Sequence, residues 1–489
     1  MRHLKYKLLL LLLLISSCTF GQYNDSLLNY LEIAAENSPM LRQKLAEYEA
    51  ALQKVPQAGA LQDPELSIGV FLKPMELVDG RQLTDMTLMQ MFPWFGVLRN
   101  AKDEMSLMAN AKYEEFRDSK LQVFYNVQKT WYDLYKLRKN IAISEKNVEI
   151  LNSIEDLALI RYRTAPSGNA GAQQGSSPSR SSQQQNSTGS GGMPGMPGNN
   201  QPGSQSSSQQ SSAGMQNNSS MGSSSNGGSL SDMYRIRIEI SDLQNNIAFL
   251  KDQENATIAG FNSFLNRPPL TEVFTADSLI ADSLGFSLAE VSDSISARNP
   301  MLSMIEYERM SYEARKKMVK KMGYPMIGLG LNYSVMGKSG MSESEMNGED
   351  MVMPMVRMTI PVYRKKYKAM QKEAELLNRS SSERYAAAGN DLQVEFYQAV
   401  QMYQGARRRI SLYDEQYQLA SKTLDLTLRS FSASTANLTD VLRVRQQKLD
   451  FELNKTEAYA DLNTSIAWLK RLMASSDIIY KNMKQDETK

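Results

Sequence analysis

One histidine and one cysteine, His3 and Cys18, are the whole supply of imidazole and thiol in these 489 residues, and both lie among the first 20. If that segment is removed or processed, Ser-His-Asp and Cys-His nucleophile chemistry and the usual zinc sites are excluded. Carboxylates are plentiful, at 53, and no pair stands out among them. The unusual supply is of thioethers. Thirty methionines are present, crowded at Met86, Met89 and Met91 and again from Met336 to Met358. Thioethers are soft ligands suited to Cu(I). They are also flexible apolar side chains that fill uneven surfaces. Met341 and Met346, in a polar loop, are the candidates for metal contact. No catalytic residue and no cofactor is expected, and the chain does not read as an enzyme.

The elements that carry these residues are long. A length of 489 residues would ordinarily suggest about three compact domains, but the helical stretches are too long for small globules. The net charge of +2 gives no sign of a nucleic-acid partner. A mean hydropathy of -0.43 excludes a polytopic helical membrane protein. It leaves a barrel open, because alternating strands hide in an average. The start reads as an export signal, with Arg2, Lys5 and Lys7 ahead of an apolar run from Leu8 to Ile15. Two processing readings compete there. Residues 1–17 are removed and Cys18 is lipidated at Ile15-Ser16-Ser17-Cys18, or residues 1–21 are removed before Gln22.

The rest of the chain is a unit written twice. The first repeat, 25–265, has strands at about 65–72 and 83–92, a long helix 98–164 and a return helix 230–265. The second, 287–474, has strands at about 326–336 and 351–360, a long helix 364–430 and a return helix 438–474, with a tail at 475–489. Pro93 to Arg161 and Pro361 to Arg429 are both 68-residue steps. Leu66, Ile68, Val70 and Leu72 alternate with Ser67, Gly69 and Phe71, as Ile327, Leu329, Leu331 and Tyr333 do with Gly328, Gly330, Asn332 and Ser334. That period of two predicts strands with one apolar face. The stretch from Lys73 to Arg81, with Pro74 and Asp79-Gly80, reads as a turn, and Pro354 makes the fourth strand irregular or edge-like.

Strands of about ten residues match a tilted transmembrane β-strand. Four cannot close a barrel, and an open sheet in lipid leaves backbone groups unpaired at several kcal/mol each. Several copies must then share one barrel, and three copies give twelve strands. The proline- and glycine-free stretch from Arg99 to Arg163, about 65 residues at 1.5 Å, predicts a helix of roughly 98 Å. Leu438, Leu442, Leu449 and Leu453 step by 4, 7 and 4, a coiled-coil seam. Residues 167–228, rich in Ser, Gln, Gly and Asn, interrupt one helical hairpin. They are too polar to fold alone, so they read either as a tolerated insertion or as a contact with a partner or the cell-wall polymer near that tip.

Phe92-Pro93-Trp94-Phe95-Gly96, Leu428-Arg429-Ser430-Phe431 followed by Leu438-Thr439-Asp440-Val441-Leu442, and Ile160-Arg161-Tyr162 with Leu230-Ser231-Asp232-Met233 resemble, in order, the turn and tip motifs of the TolC family of outer-membrane efflux channels. The resemblance implies a mainly α fold with a small β part. Long antiparallel coiled-coil helices in two repeats would carry four transmembrane strands per chain, and a homotrimer would share a 12-stranded barrel. It implies strand-to-helix turns at Pro93, Trp94, Gly96 and Pro361, and tips at Arg161, Tyr162, Asp232, Arg429, Phe431 and Asp440 that contact a periplasmic adaptor. Simple capping of the helix dipoles also accounts for Arg161, Arg429, Asp232 and Asp440. The implied setting is the outer membrane of a Gram-negative bacterium, in contact with its lipid and with a long periplasmic part. The implied role is the exit duct of tripartite efflux with an inner-membrane pump of the RND type. Some members of the family serve copper and silver efflux, so a metal cargo is one reading of the methionines. A type I secretion duct would look the same, and a periplasmic coiled-coil scaffold is the alternative from another class.

Overall fold

A computed structural model describes residues 27–164 and 230–474, apart from 277, 280–286, 342, 344 and 434. The expectations for the leader with Cys18, for the 167–228 insert and for the 475–489 tail lie outside the described residues.

In chain order the elements are α1 (Leu27–Asn37), α2 (Pro39–Gly59), β1 (Glu65–Leu77), β2 (Gly80–Phe92), α3 (Val97–Thr164), α4 (Leu230–Phe264), α5 (Leu288–Arg298), α6 (Pro300–Met322), β3 (Met326–Gly337), β4 (Met351–Thr359), α7 (Arg364–Ser432) and α8 (Leu438–Leu472). At 68 and 69 residues, α3 and α7 each run about 100 Å. Neither can fold back, so each buries its apolar stripe under two shorter helices laid end to end. On α3 these are α2 near the sheet and α4 farther out; on α7 they are α6 and α8. Both α4 and α8 have 35 residues. Contacts of α6 and α8 with α3 as well as α7 join the two repeats side by side.

The mid-length joints are pinned by polar bonds. Asn299 caps α6 and donates to the Leu472 carbonyl at 3.2 Å, tying α6 to the end of α8. In the first repeat, Tyr30 packs edge-on against Phe261 at 5.1 Å and accepts from the Phe274 amide at 3.0 Å. Arg138 of α3 reaches the Val273 carbonyl at 2.6 Å and Glu254 at 2.7 Å. The extended segment after α4 is thereby strapped across α3.

The four strands form one antiparallel sheet in the order β1-β2-β3-β4. The β2–β3 pairing joins strands more than 230 residues apart, from Arg81↔Gly337 to Phe92↔Ile327. β1 continues five residues beyond its expected end at 72, through Pro74, where the sequence suggested a turn. A register shift between Val70 and Met75 absorbs the change, and the turn is confined to Val78 and Asp79. Proline is tolerated there because Pro74 lies inside that shift, where β1 makes no ladder pair with β2. Pro354 sits in β4, opposite Leu331.

Glu104 lies on the face of α3 against α6 and is buried, at 7 % exposure. Burial pushes its carboxyl above the usual range, and the charge of Arg315 opposes that shift only in part. The raised folded value means that ionised Glu104 works against folding at neutral pH. The burden lifts as pH falls through the folded value towards the unfolded one. Glu104→Gln is therefore expected to raise the melting temperature at pH 7.5 by about 2 °C, the shift that about 1 kcal/mol gives in a long chain. Melts followed by circular dichroism should show that gain vanish near pH 4.5; an equal gain at both pH values contradicts the assignment.

Candidate functional site

Cross-strand partners share a face, so the register sorts the sheet into two surfaces. One carries the rows Leu66, Leu88, Leu331, Pro354 and Ile68, Met86, Tyr333, Val352, with Ile327, Leu329 and Val356 alongside. These residues are exposed although apolar, with Leu66 at 63 % and Val356 at 75 %. The opposite face carries Ser67, Thr87 and Asn332 in one row and Gly69, Asp85 and Ser334 in the next. There Asn332 donates to Asp85 at 2.5 Å and to Thr87 at 2.8 Å, and Ser334 donates to Asp85 at 3.1 Å. An apolar outside and a hydrogen-bonded polar inside is the arrangement of a strand between lipid and water. The inner strand methionines Met89, Met91, Met351, Met353 and Met355 join the polar face, whereas Met86 and Met358 face outward. Met341 and Met346 stand exposed in the β3–β4 loop.

The outer edges of β1 and β4 have no strand partner among the described residues. No described helix is long and apolar enough to cross a membrane.

The strand-to-helix turns set the direction in which the helices leave the sheet. Pro93 ends β2, Trp94 stacks on Tyr324 at 5.3 Å, and Gly96 takes a φ of +85°. A side chain on Gly96 would also meet Lys321, so the position suits glycine twice over. The Gly96 carbonyl then accepts the Asn100 amide at 3.1 Å, and α3 begins. The second turn, from Pro361 to Tyr363, has no glycine and is closed by the Arg364 amide on the Val362 carbonyl at 2.9 Å. Phe95 and Tyr363 project from the two turns, both at 84 % exposure. Such rings mark the border of an apolar band.

At the far end, the tips of the two repeats close on each other. Leu151, Ile154 and Ala158 of α3, Ile236 of α4, Leu424 and Phe431 of α7, and Leu438 and Val441 of α8 form one buried cluster. The Arg161 guanidinium lies over the Phe431 ring at 4.8 Å and donates to the Ala436 carbonyl at 3.3 Å. Phe431, expected from the family pattern as a contact for a partner, is instead buried at 3 % under Arg161. Its aromatic ring serves the closure of the bundle, because four converging helix ends need an apolar plug. Tyr162 is exposed, and Asp232 is half-buried in the first turn of α4. Arg429 and Asp440 remain at the surface, paired locally with Asp425 and Arg443, both at 3.0 Å.

Sequence reasoning missed Arg445. It is 2 % exposed and bonds Glu239 at 2.9 Å, while its Nε and Nη1 have no partner among the described residues. Burial holds its guanidinium below the usual range. Its position between Leu442 and Leu449 of the seam was the available signal.

This geometry is similar to that of several solved outer-membrane channels. The chain superposes on VceC from Vibrio cholerae with a TM-score of 0.67 at 12 % identity, covering 92 % of this chain and 96 % of that one. For CusC the TM-score is 0.67 at 13 % identity, with 92 % of each chain covered. For the open state of MtrE from Neisseria gonorrhoeae the TM-score is 0.65 at 12 % identity, covering 92 % of this chain and 88 % of that one. Comparison with curated protein sequences gives no match. The solved channels establish the fold. Residues 291–475, most of the second repeat, match the family described as outer membrane efflux protein. The fold is thus shared with these solved outer-membrane channels, and the second repeat carries the family match.

Proposed function

We propose that three copies of this chain close a 12-stranded barrel in the outer membrane. The trimer is the exit duct of a tripartite efflux system, fed by a periplasmic adaptor and an inner-membrane pump of the RND type. The observation that carries this reading is a four-stranded sheet with an apolar outer face and two open edges. Unpaired edges are untenable in lipid, and identical neighbours supply the missing strands. The helices continue the bore, because α3 and α7 leave the sheet directly from β2 and β4. Adaptor contact falls to the exposed tip residues Tyr162, Arg429 and Asp440, and to the shallow groove between α4 and α8 lined by Arg235, Glu239, Thr439 and Leu442. The chain supplies a wet path and performs no bond chemistry.

Deletion of the gene, followed by a screen across dyes, bile salts, antibiotics and metals, tests the role. Sensitivity to at least one class should rise several-fold and be restored by the wild-type copy. Unchanged tolerance to every class, with the protein present in the wild-type strain, contradicts an efflux role.

A further inference from the structure

Cations crowd where the second repeat joins the sheet. Five Lys and Arg residues and no acid occupy 315–321 at the end of α6, and five more with no acid occupy 364–372 at the start of α7. The start of α3 is balanced instead, with Arg99 and Lys102 against Asp103 and Glu104. Ion pairs use little of this charge. Lys316 and Lys372 share Glu375 at 3.8 and 3.7 Å, while Arg315 and Lys317 take Glu373 and Glu313. Lys320, Arg364 and Lys368 are exposed and pair with no carboxylate among the described residues. The side they face follows from the helix repeat. Arg364, Lys368 and Lys372 stand 21 residues, three heptads, before Tyr385, Gly389 and Gln393, and a straight helix drifts only about 20° per heptad. Tyr385, Gly389 and Gln393 meet Ser292 and Ile295 of α5 around one shallow pocket. A short helix laid on a tunnel wall lies outside it if the bore is to stay open, so the cations share that outer side. The shared Glu375 adds Lys316 of α6 to the same surface, with Lys320 one turn on.

We propose that Lys316, Lys320, Arg364, Lys368 and Lys372 form a docking surface for anionic phospholipid headgroups, in the leaflet at the helical end of the barrel. The level fits. The outward Val356 and Met358 of β4 lead through the exposed Ile360, Val362 and Tyr363 straight to Arg364. Headgroups occupy about 5–8 Å beyond each edge of the hydrocarbon, and Arg364 to Lys368 rises about 6 Å. Long cationic side chains reach a few ångströms more, with their stems along the apolar edge. The charge fits as well. Arginine meets phosphate oxygens with two parallel bonds and lysine meets them as a point charge. Each such cation near an anionic lipid surface strengthens binding about fivefold. The surface rests on the exit-duct reading, which puts the sheet in lipid, and adds a lipid partner that holds the barrel at one depth.

The test compares spin-labelled phosphatidylglycerol with spin-labelled phosphatidylcholine around the full-length protein reconstituted in vesicles. At low salt the wild type should hold phosphatidylglycerol at least threefold more strongly, and molar salt should remove the preference by screening. Arg364→Gln/Lys368→Gln/Lys372→Gln should lose the preference at low salt. Arg407→Gln/Arg408→Gln/Lys422→Gln removes as much charge from exposed sites on the same helix, farther from the sheet, and should keep it. No preference in the wild type, or an equal preference in the two triple variants, overturns the surface. Should the first variant misfold, acetylation of wild-type lysines in mixed micelles decides. Phosphatidylglycerol should slow the reaction at Lys316, Lys320, Lys368 and Lys372 relative to phosphatidylcholine and leave Lys422 unchanged; equal rates at all five overturn the surface. Potassium conductance of the wild type keeps the two readings apart. Its absence sinks the duct, whereas conductance without lipid preference sinks only the docking surface.

Discussion

Phe431→Ala should loosen the closed tip more than any other single truncation there. The ring is buried in the cluster that unites α3, α4, α7 and α8, and the Arg161 guanidinium covers its face. Emptying such a site costs about 3–5 kcal/mol, and the lost cation–π contact adds about 0.5–2 kcal/mol. Near room temperature each 1.36 kcal/mol is a factor of ten, so the first term alone favours local opening by about 10²–10⁴. Amide hydrogen exchange should report that acceleration in the last turns of α3 and α7 and the first of α8, while the joint around Tyr30 and Phe261 keeps its protection. Phe431→Leu, which refills most of the volume, should recover much of the loss. Unchanged exchange at the tip in Phe431→Ala would mean that the ring is not the plug described here.

The second large effect belongs to the sheet. Leu331→Arg places a charge on the outer face, between Leu88 and Pro354. An arginine there costs about 2–4 kcal/mol per chain at the membrane midplane, and a trimer incurs it three times. The variant should fail to reach the assembled, membrane-inserted form seen on unheated gels. Ser67→Arg is the matched control. It stands on the opposite face, in the row of Thr87 and Asn332, so it should insert normally while changing the conductance of the bore. If Ser67→Arg blocks assembly and Leu331→Arg does not, the two faces have been assigned the wrong way round.

Much of this architecture was legible in the residues. The alternation of Leu66, Ile68 and Val70 and of Ile327, Leu329 and Leu331 marked the outer face, because a half-buried strand repeats every two residues. The breaker-free run after Pro93 marked α3. The extension of β1 past Pro74 was not legible. It depends on a register shift against Gln82, and proline reads locally as an end. The Arg161–Phe431 stack joins residues 270 apart, and both repeats gave the same capping signal without saying that they meet. Arg161 and Phe431 therefore looked like surface contacts, when one covers the other. The two faces of the methionines could have been read from parity, with 86 set against 89 and 91, and 358 against 351, 353 and 355. The packing of Met89 and Met91 over Gly328 and Gly330 could not, because it needs the pairing of β2 with a strand from the other repeat.

Arg445 shows the same limit from another direction. A guanidinium inside an apolar seam carries a desolvation penalty of several kcal/mol, and Glu239 on the neighbouring helix offsets part of it at 2.9 Å. Sequence periodicity identifies the seam, but not which charged residue turns into it.

The most direct test of the shared barrel is single-channel recording in planar lipid bilayers on a sample whose mass in detergent has been determined. The account requires a particle of about three chain masses that carries a steady ionic current. A monomer that inserts and conducts, or a trimer that leaves the bilayer insulating, would contradict it.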